Sequence, residues 1–175
     1  MAVLSFQDRI ADLAGSLSTT DDNALQQWLI DGCYDVITRN GITTGVPEME
    51  FAQQSSAYSS AMAVDVSNIR QLLDVARNGY NCKRIAHMQR NFVDPNHVLG
   101  TDSIYKATDI DPVFYILDNQ LVVKPNPTAS EQGYYSYIPE YSIDDFSGTT
   151  SSIDKFPVQY NEHIILYASI KVLDR

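Results

Sequence analysis

Three histidines, two cysteines and the adjacent pair Glu162-His163 are the residues of this chain that could support catalysis or metal binding. Such chemistry depends on spacing, because metal ligands must converge on one point and a base must reach the atom it deprotonates. His87, His97 and His163 lie far apart, and none belongs to an H-E-x-x-H run. Glu162 and His163 are neighbours in a helical pattern, so they point to different sides and share no ligand face. Cys33 and Cys82 stand alone, without a C-x-x-C, and read as two reduced thiols of a protein made in a cytoplasm. One nucleophile pair is open on paper, Cys82 with His87, which would make a small hydrolase. G-x-S-x-G, P-loop and G-x-G-x-x-G runs are absent. No catalytic, metal or cofactor-binding residue is assigned, and the expectation is a protein without enzymatic activity.

Charge narrows the field further. The chain of 175 residues holds 12 Lys and Arg against 22 Asp and Glu, a net charge of −10. A surface of that sign repels nucleic acid and anionic membrane, so any contact with DNA should be weak and non-adhesive. Lys83-Arg84 with Arg90 form the only local basic cluster, read as a solvated strand edge. No run is long and apolar enough to cross a membrane, and no N-terminal segment has the order of a signal peptide. Eleven tyrosines against one tryptophan suit partly buried strands and protein–protein contacts.

The elements that must position these residues centre on Val113–Tyr141. Two apolar runs flank Asp118-Asn119, a two-residue loop able to close a tight hairpin. Pro125 and Pro127 end the pairing, and Tyr134–Ile138 follow as a third strand of a meander, with Tyr135 and Tyr137 on one face and Tyr134 on the other. Upstream, Ser5 caps a helix to about Ala14 that Gly15 stops. A second helix runs from Asp21 or Asp22 to about Thr38, ended by Asn40-Gly41. Residues 42–60 read as irregular with some strand, and Met62, Val64 and Val66 alternate as a strand. Asn78-Gly79 predicts a hairpin of Arg70–Ala76 with Tyr80–His87. Asp94-Pro95 reads as the start of a short helical turn, Gly100–Asp111 as a polar loop containing Tyr105, and Ile143–Ser152 as a linker. The last helix starts near Asp154 and Pro157 and shows three apolar rows: Tyr160, Ile164, Tyr167; Ile165, Ala168, Val172; and Leu166, Ile170, Leu173. A helix apolar nearly all round must be buried or packed between partners. It reaches Arg175 without a stop signal, so either it frays there or the native chain is longer. The expected fold is α+β in one domain over residues 1–175: N-terminal helices and a C-terminal helix packed on antiparallel hairpins and a meander. Helices are expected at about 5–14, 21–38 and 157–174, and strands mainly within 62–88 and 112–141.

The order of W-L-I-D-G-C-Y-D-V-I-T-R, hairpins, F-Y-I-L-D-N-Q-L-V-V-K-P-N-P, Y-Y-S-Y-I-P and F-P-V-Q-Y-N-E-H-I-I-L-Y-A-S-I-K-V-L resembles the head-to-tail adaptor (connector, or neck) proteins of tailed bacteriophages. The strongest piece is Pro157–Leu173, and the likeness covers most of the chain. It implies a virion structural protein assembled in the host cytoplasm, a dodecameric ring at the neck between the capsid portal and the tail or tail nozzle. Such a ring is a conduit for the genome, needs no cofactor and reads no DNA sequence. In a ring each subunit lies between two neighbours, so Tyr134, Tyr135 and Tyr137 become candidates for the subunit interface, although they would equally pack the far face of the meander. Asp144 and Asp145 become candidates to line the channel, the competing reading being two solvated charges in a linker. A tail-associated carbohydrate-binding module, with tyrosines as stacking platforms, is the alternative from another class.

Overall fold

Ser5 opens the first helix by closing its own end. Its hydroxyl accepts the Asp8 N–H at 3.2 Å, and the Asp8 carboxylate accepts the Ser5 N–H in return, a capping box that starts α1 (Phe6–Ala14) as the sequence predicts. The computed structural model describes residues 4–15, 22–44, 50–57, 64–128, 131–146, 150–153 and 155–174. The fold is α+β, with N-terminal and C-terminal helices and two sheets. The chain divides into two compact units, Met1–Phe51 with Glu140–Arg175, and Ala52–Pro139.

The first unit is helical. The second helix, α2, spans Asp22–Thr44; Asp21 lies outside the described residues. It passes through Asn40-Gly41, where the sequence predicts its end. A helix-breaking pair costs only about 1 kcal/mol in a helix interior, and tertiary contacts outweigh it. Asn40 donates to the Tyr160 hydroxyl at 3.2 Å, and α2 packs along the C-terminal helix α5 (Asn161–Leu173). Leu25, Leu29, Cys33 and Ile37 of α2 are buried, as are Ile164, Ile165 and Ala168 of α5. Gly32 sits where these helices approach most closely, and a Cβ there would stand 3.3 Å from the Cα and Cβ of Ile164. Regular α-helix begins at Asn161, after a 3-10 turn at Val158–Tyr160, later than the predicted start. Pro157 precedes that turn, and Asp154 lies outside the described residues. The predicted linker at Ile143–Ser152 contains a 3-10 turn, Ile143–Phe146, because Phe146 is a core residue that stacks 6.1 Å from Phe6.

The second unit is built of short strands: β1 (Gln53–Gln54), β2 (Val64–Asp65), β3 (Ile69–Arg77), β4 (Tyr80–Asn81), β5 (Lys83–Arg84), β6 (Val113–Leu117), β7 (Gln120–Lys124) and β8 (Gly133–Pro139). They form two sheets, in the orders β1-β8-β3-β4 and β2-β7-β6-β5. Both predicted turns form. Asp118 and Asn119 adopt φ of 49° and 60°, and Asn78 and Gly79 adopt 49° and 81°, the left-handed pairs that a two-residue hairpin needs. Of the strand expected at Met62–Val66, only Val64 and Asp65 pair; Met62 and Ala63 lie outside the described residues.

The predicted three-stranded meander does not form. β8 joins β3 in the other sheet, from Ile69 opposite Pro139 to Arg77 opposite Gly133. The outer edge of β7 is already taken by β2, and Pro125 ends β7 because it has no N–H for a ladder. The return strand at Tyr80–His87 is likewise cut short. β4 pairs with β3 for two residues, and the chain crosses at Cys82 to run parallel to β6 as β5. Cys82 donates its N–H to Val75 at 2.7 Å, and Lys83 donates to Pro112 at 2.9 Å. A single run of backbone therefore serves both sheets. Between them lie Val66, Val75, Cys82, Phe114, Leu121 and Val123.

Replacing Gly32 with valine forces α2 and α5 apart. Gly32→Val is expected to cost about 1–3 kcal/mol, read from urea unfolding with Trp28 on α2 as the fluorescent reporter.

Candidate functional site

Four of the groups that sequence reading considered for chemistry, His97, His163, Cys82 and Cys33, have surroundings that the structure describes. Nδ1 of His97 accepts the Leu99 N–H at 3.2 Å and caps a short helix, α4 (Val98–Thr101). The His163 ring lies 6.0 Å from that of Tyr160. The residues at His87–Gln89 form a 3-10 turn, and the side chain of His87 lies outside the described residues. Burial pushes the Cys82 thiol up to about 12, with the charge of Arg77 working the other way, so the sulfur is protonated at neutral pH. Burial likewise raises the Cys33 thiol. Among the described residues, no three His, Cys, Asp or Glu side chains are grouped to hold a metal ion.

The three tyrosines named from sequence lie on β8, all half-buried. Tyr135 and Tyr137 share a face with ring centroids 5.4 Å apart. Tyr135 packs against the inter-sheet core, and burial, with Tyr137 and Asp65 beside it, raises its hydroxyl above the ordinary value. Tyr134 donates to Gln132 at 2.9 Å. Asp145 accepts the Ser142 N–H at 2.8 Å and stands 3.6 Å from Lys155, while Asp144 is exposed. Asp145 is thereby tied into its own turn.

The surface that sequence reading missed lies at residues 88–110. Met88, Phe92, Val98 and Leu99 are exposed there, and so are Ile104, Tyr105 and Ile110 in Gly100–Asp111, the part expected to be a polar loop; Met88 and Ile104 are 89% and 90% accessible. It is a built element. The short helix α3 (Arg90–Val93) ends at Asp94, where an extended backbone forced by Pro95 stops it; the sequence predicts a start there, and the next helix begins instead at Val98. Gly100 is buried so tightly that a Cβ would meet the Asp94 carbonyl oxygen at 1.9 Å. Asp94 in turn accepts from Lys124 of β7 at 2.8 Å. Beneath, Val93, Ala107 and Val113 make a small separate core with Ile85.

On this platform lies an open groove of about 550 Å³, with Ile85, Phe92, Val93, Ile104 and Tyr105 as its apolar wall. Lys83, Arg84 and Lys106 stand at its rim. Lys83 pairs with Asp111 at 2.7 Å. Neither Arg84 nor Lys106 forms an ion pair among the described residues. Lys83 and Arg84 are also the exposed edge strand β5, where charge discourages unwanted pairing.

A second apolar surface belongs to the helical unit. Of the three rows on α5, Ile164, Ile165 and Ala168 carry the first two inward, while Leu166, Ile170 and Leu173 remain exposed. Leu166 and Ile170 border a shallow cleft of about 360 Å³ with Val36, Arg39 and Tyr167. The signal for this surface was in the sequence, as one row too many for a single packed side. Residues 88–110 gave none, because turns of four residues leave no periodicity to read.

Comparison with protein-family models finds no match, and comparison with curated proteins finds none either.

Two measurements test how the 88–110 platform is held. Gly100→Ala is expected to destabilise the protein by about 1–3 kcal/mol and to open the 90–105 stretch to limited proteolysis. Burial opposes the charge on Asp94, but the Lys124 and Asn96 hydrogen bonds outweigh it and hold the carboxyl below its ordinary 3.8. A group depressed in the folded state contributes its stability above the unfolded value and loses it as pH falls through the folded one. Stability should therefore decline as pH drops from about 5 to about 3. Asp94→Asn leaves the buried Lys124 ammonium without its carboxylate, so it should cost about 1–3 kcal/mol at neutral pH and flatten that decline in thermal melts.

Proposed function

We propose that this chain is a virion structural protein, a head-to-tail adaptor of a tailed bacteriophage. It assembles as a ring, a dodecamer, between the capsid portal and the tail, and gives the genome a passage. Its place is the neck of the virion, reached by assembly in the host cytoplasm, and its work is done through protein contacts without catalysis or a cofactor.

The observation that carries this reading is the apolar surface left open on one copy. Met88, Phe92, Leu99, Ile104 and Tyr105 on one unit, and Leu166, Ile170 and Leu173 on the other, stand exposed. Grouped exposure of this kind marks an interaction site and is uncommon on proteins that work alone. Heterologous contacts between copies would cover it and close a ring. Tyr134, Tyr135 and Tyr137, half-buried on β8, keep aromatic surface available for such a contact. The charge fits a duct: a wall of net charge −10 per chain gains nothing from counterion release and lets DNA slide. Exposed Asp144 suits that wall better than Asp145, which is held by Ser142 and Lys155. The resemblance of the Pro157–Leu173 stretch and of the order of elements to the adaptor family supplies the identity of the ring.

Image reconstruction of purified particles, with mass spectrometry of their proteins, tests the proposal. The expected result is a ring of this chain between portal and tail. Particles that lack the chain would refute it. A monomer binding glycans through exposed Tyr105 would support the carbohydrate-binding module instead.

A further inference from the structure

The charge of this protein is unevenly divided. Met1–Phe51 with Glu140–Arg175 carry five Lys and Arg against fourteen Asp and Glu, a net −9, while Ala52–Pro139 carry seven against eight, a net −1. The nearly neutral unit holds the apolar groove, lined also by two cations, Arg84 and Lys106, that form no ion pair among the described residues. The strongly acidic unit holds the exposed row of α5. Along that row Glu162, Leu166, Ile170 and Asp174 follow at four-residue spacing, two apolar residues between two acids, with Leu173 beside them. Glu162 pairs with Arg9 of its own chain, and Lys171 on the neighbouring row lies over the Tyr167 ring at 5.5 Å. Asp174, at the negative end of the α5 dipole, forms no ion pair among the described residues.

From this complementarity we infer that the groove walled by Phe92, Ile104 and Tyr105 receives the exposed face of α5 from a second copy of this chain. Leu166, Ile170 and Leu173 enter the groove, and Asp174 faces Arg84 and Lys106. This is a helix-in-groove contact, in which apolar side chains at i, i+4 and i+7 supply the anchors. The contact is heterologous, since each copy offers its groove to one neighbour and its helix to the other, so it propagates into a ring or a filament. The inference rests on the proposed function only for the choice of a closed ring.

The test mixes two variants, Ile104→Cys and Ile170→Cys, under a short bifunctional thiol crosslinker. Each chain then has one new exposed thiol, and native Cys33 and Cys82 are buried. No link within one chain can join the two new thiols. The expected result is a product of twice the monomer mass in the mixture and not in either variant alone. Combining Arg84→Glu with Lys106→Glu in the Ile104→Cys chain should lower its yield roughly tenfold, the effect of two lost rim attractions. Adding Asp174→Lys to the partner chain should restore it. Assembled rings that give no such product would overturn the inference and leave the adaptor reading standing. Capture of a portal or tail protein by the Ile104→Cys thiol in its place would do the same. A crosslinked product from a chain absent from particles would support the contact and refute the adaptor.

Discussion

Six residues of backbone, Tyr80–Ile85, belong to two sheets at once, and the shape of the strand unit follows from that sharing. β4 completes one sheet against β3, Cys82 turns its side chain into the core, and β5 opens the edge of the other sheet beside β6. Hydrogen bonds from Cys82 to Val75 and from Ile85 to Phe114, at 2.7 and 3.0 Å, fix the crossing. Substituting a side chain cannot easily reroute it, because the bonds are made by the backbone. Once the chain has crossed, it leaves at a sheet edge and must return to β6 from outside. Residues 86–112 are that return. They cover the β6 end with Val93 and Ala107, and present Phe92, Ile104 and Tyr105 outward because the small core beneath has no room for them.

Arg77 secures the far end of the same strand pair. Its guanidinium is almost wholly buried, and one amino group donates to Glu131 at 2.8 Å and lies 3.1 Å from Asp109. Glu131 also accepts from Thr128, and those bonds, with Arg77, hold its carboxyl below the ordinary range against the cost of desolvation. Through Nη2 alone this buried charge ties the ends of the 109 and 131 loops to β3, while Nε and Nη1 meet no hydrogen-bond partner among the described residues. Replacing such a charge alone would leave its partners stranded. The strand unit therefore holds its loops by a few polar anchors and leaves the large apolar side chains of residues 88–110 on the outside.

Local chemistry was legible in the sequence, and long-range pairing was not. The Ser5 cap, Asp118-Asn119 and Asn78-Gly79 each specify geometry within four residues, and each forms as expected; the return bond from Asp8 to the Ser5 N–H was not read. The partner of β8 was misread because β2 and β5, the strands that decide the sheet orders, are two residues long, too short to specify which strand they pair with. Asn40-Gly41 was misread because breaker propensity is weak beside the packing of α2 on α5. Of the candidate site, the exposed row Leu166, Ile170, Leu173 was visible as an excess of apolar positions, and the shared face of Tyr135 and Tyr137 as alternation. The groove was hidden. It needs β5, α3 and the 104–106 turn in one place, and they meet only after the chain has changed sheets.

On the proposed reading, the outward apolar side chains of a single copy are covered by sister copies. Carbene footprinting across a concentration series that spans self-association measures this directly. Ile104, Tyr105, Leu166 and Ile170 should lose labelling together as the molar mass rises from that of one chain, while exposed polar sites such as Asp118 stay constant. Labelling that does not change with concentration, in a protein that keeps the mass of a single chain throughout, would contradict it.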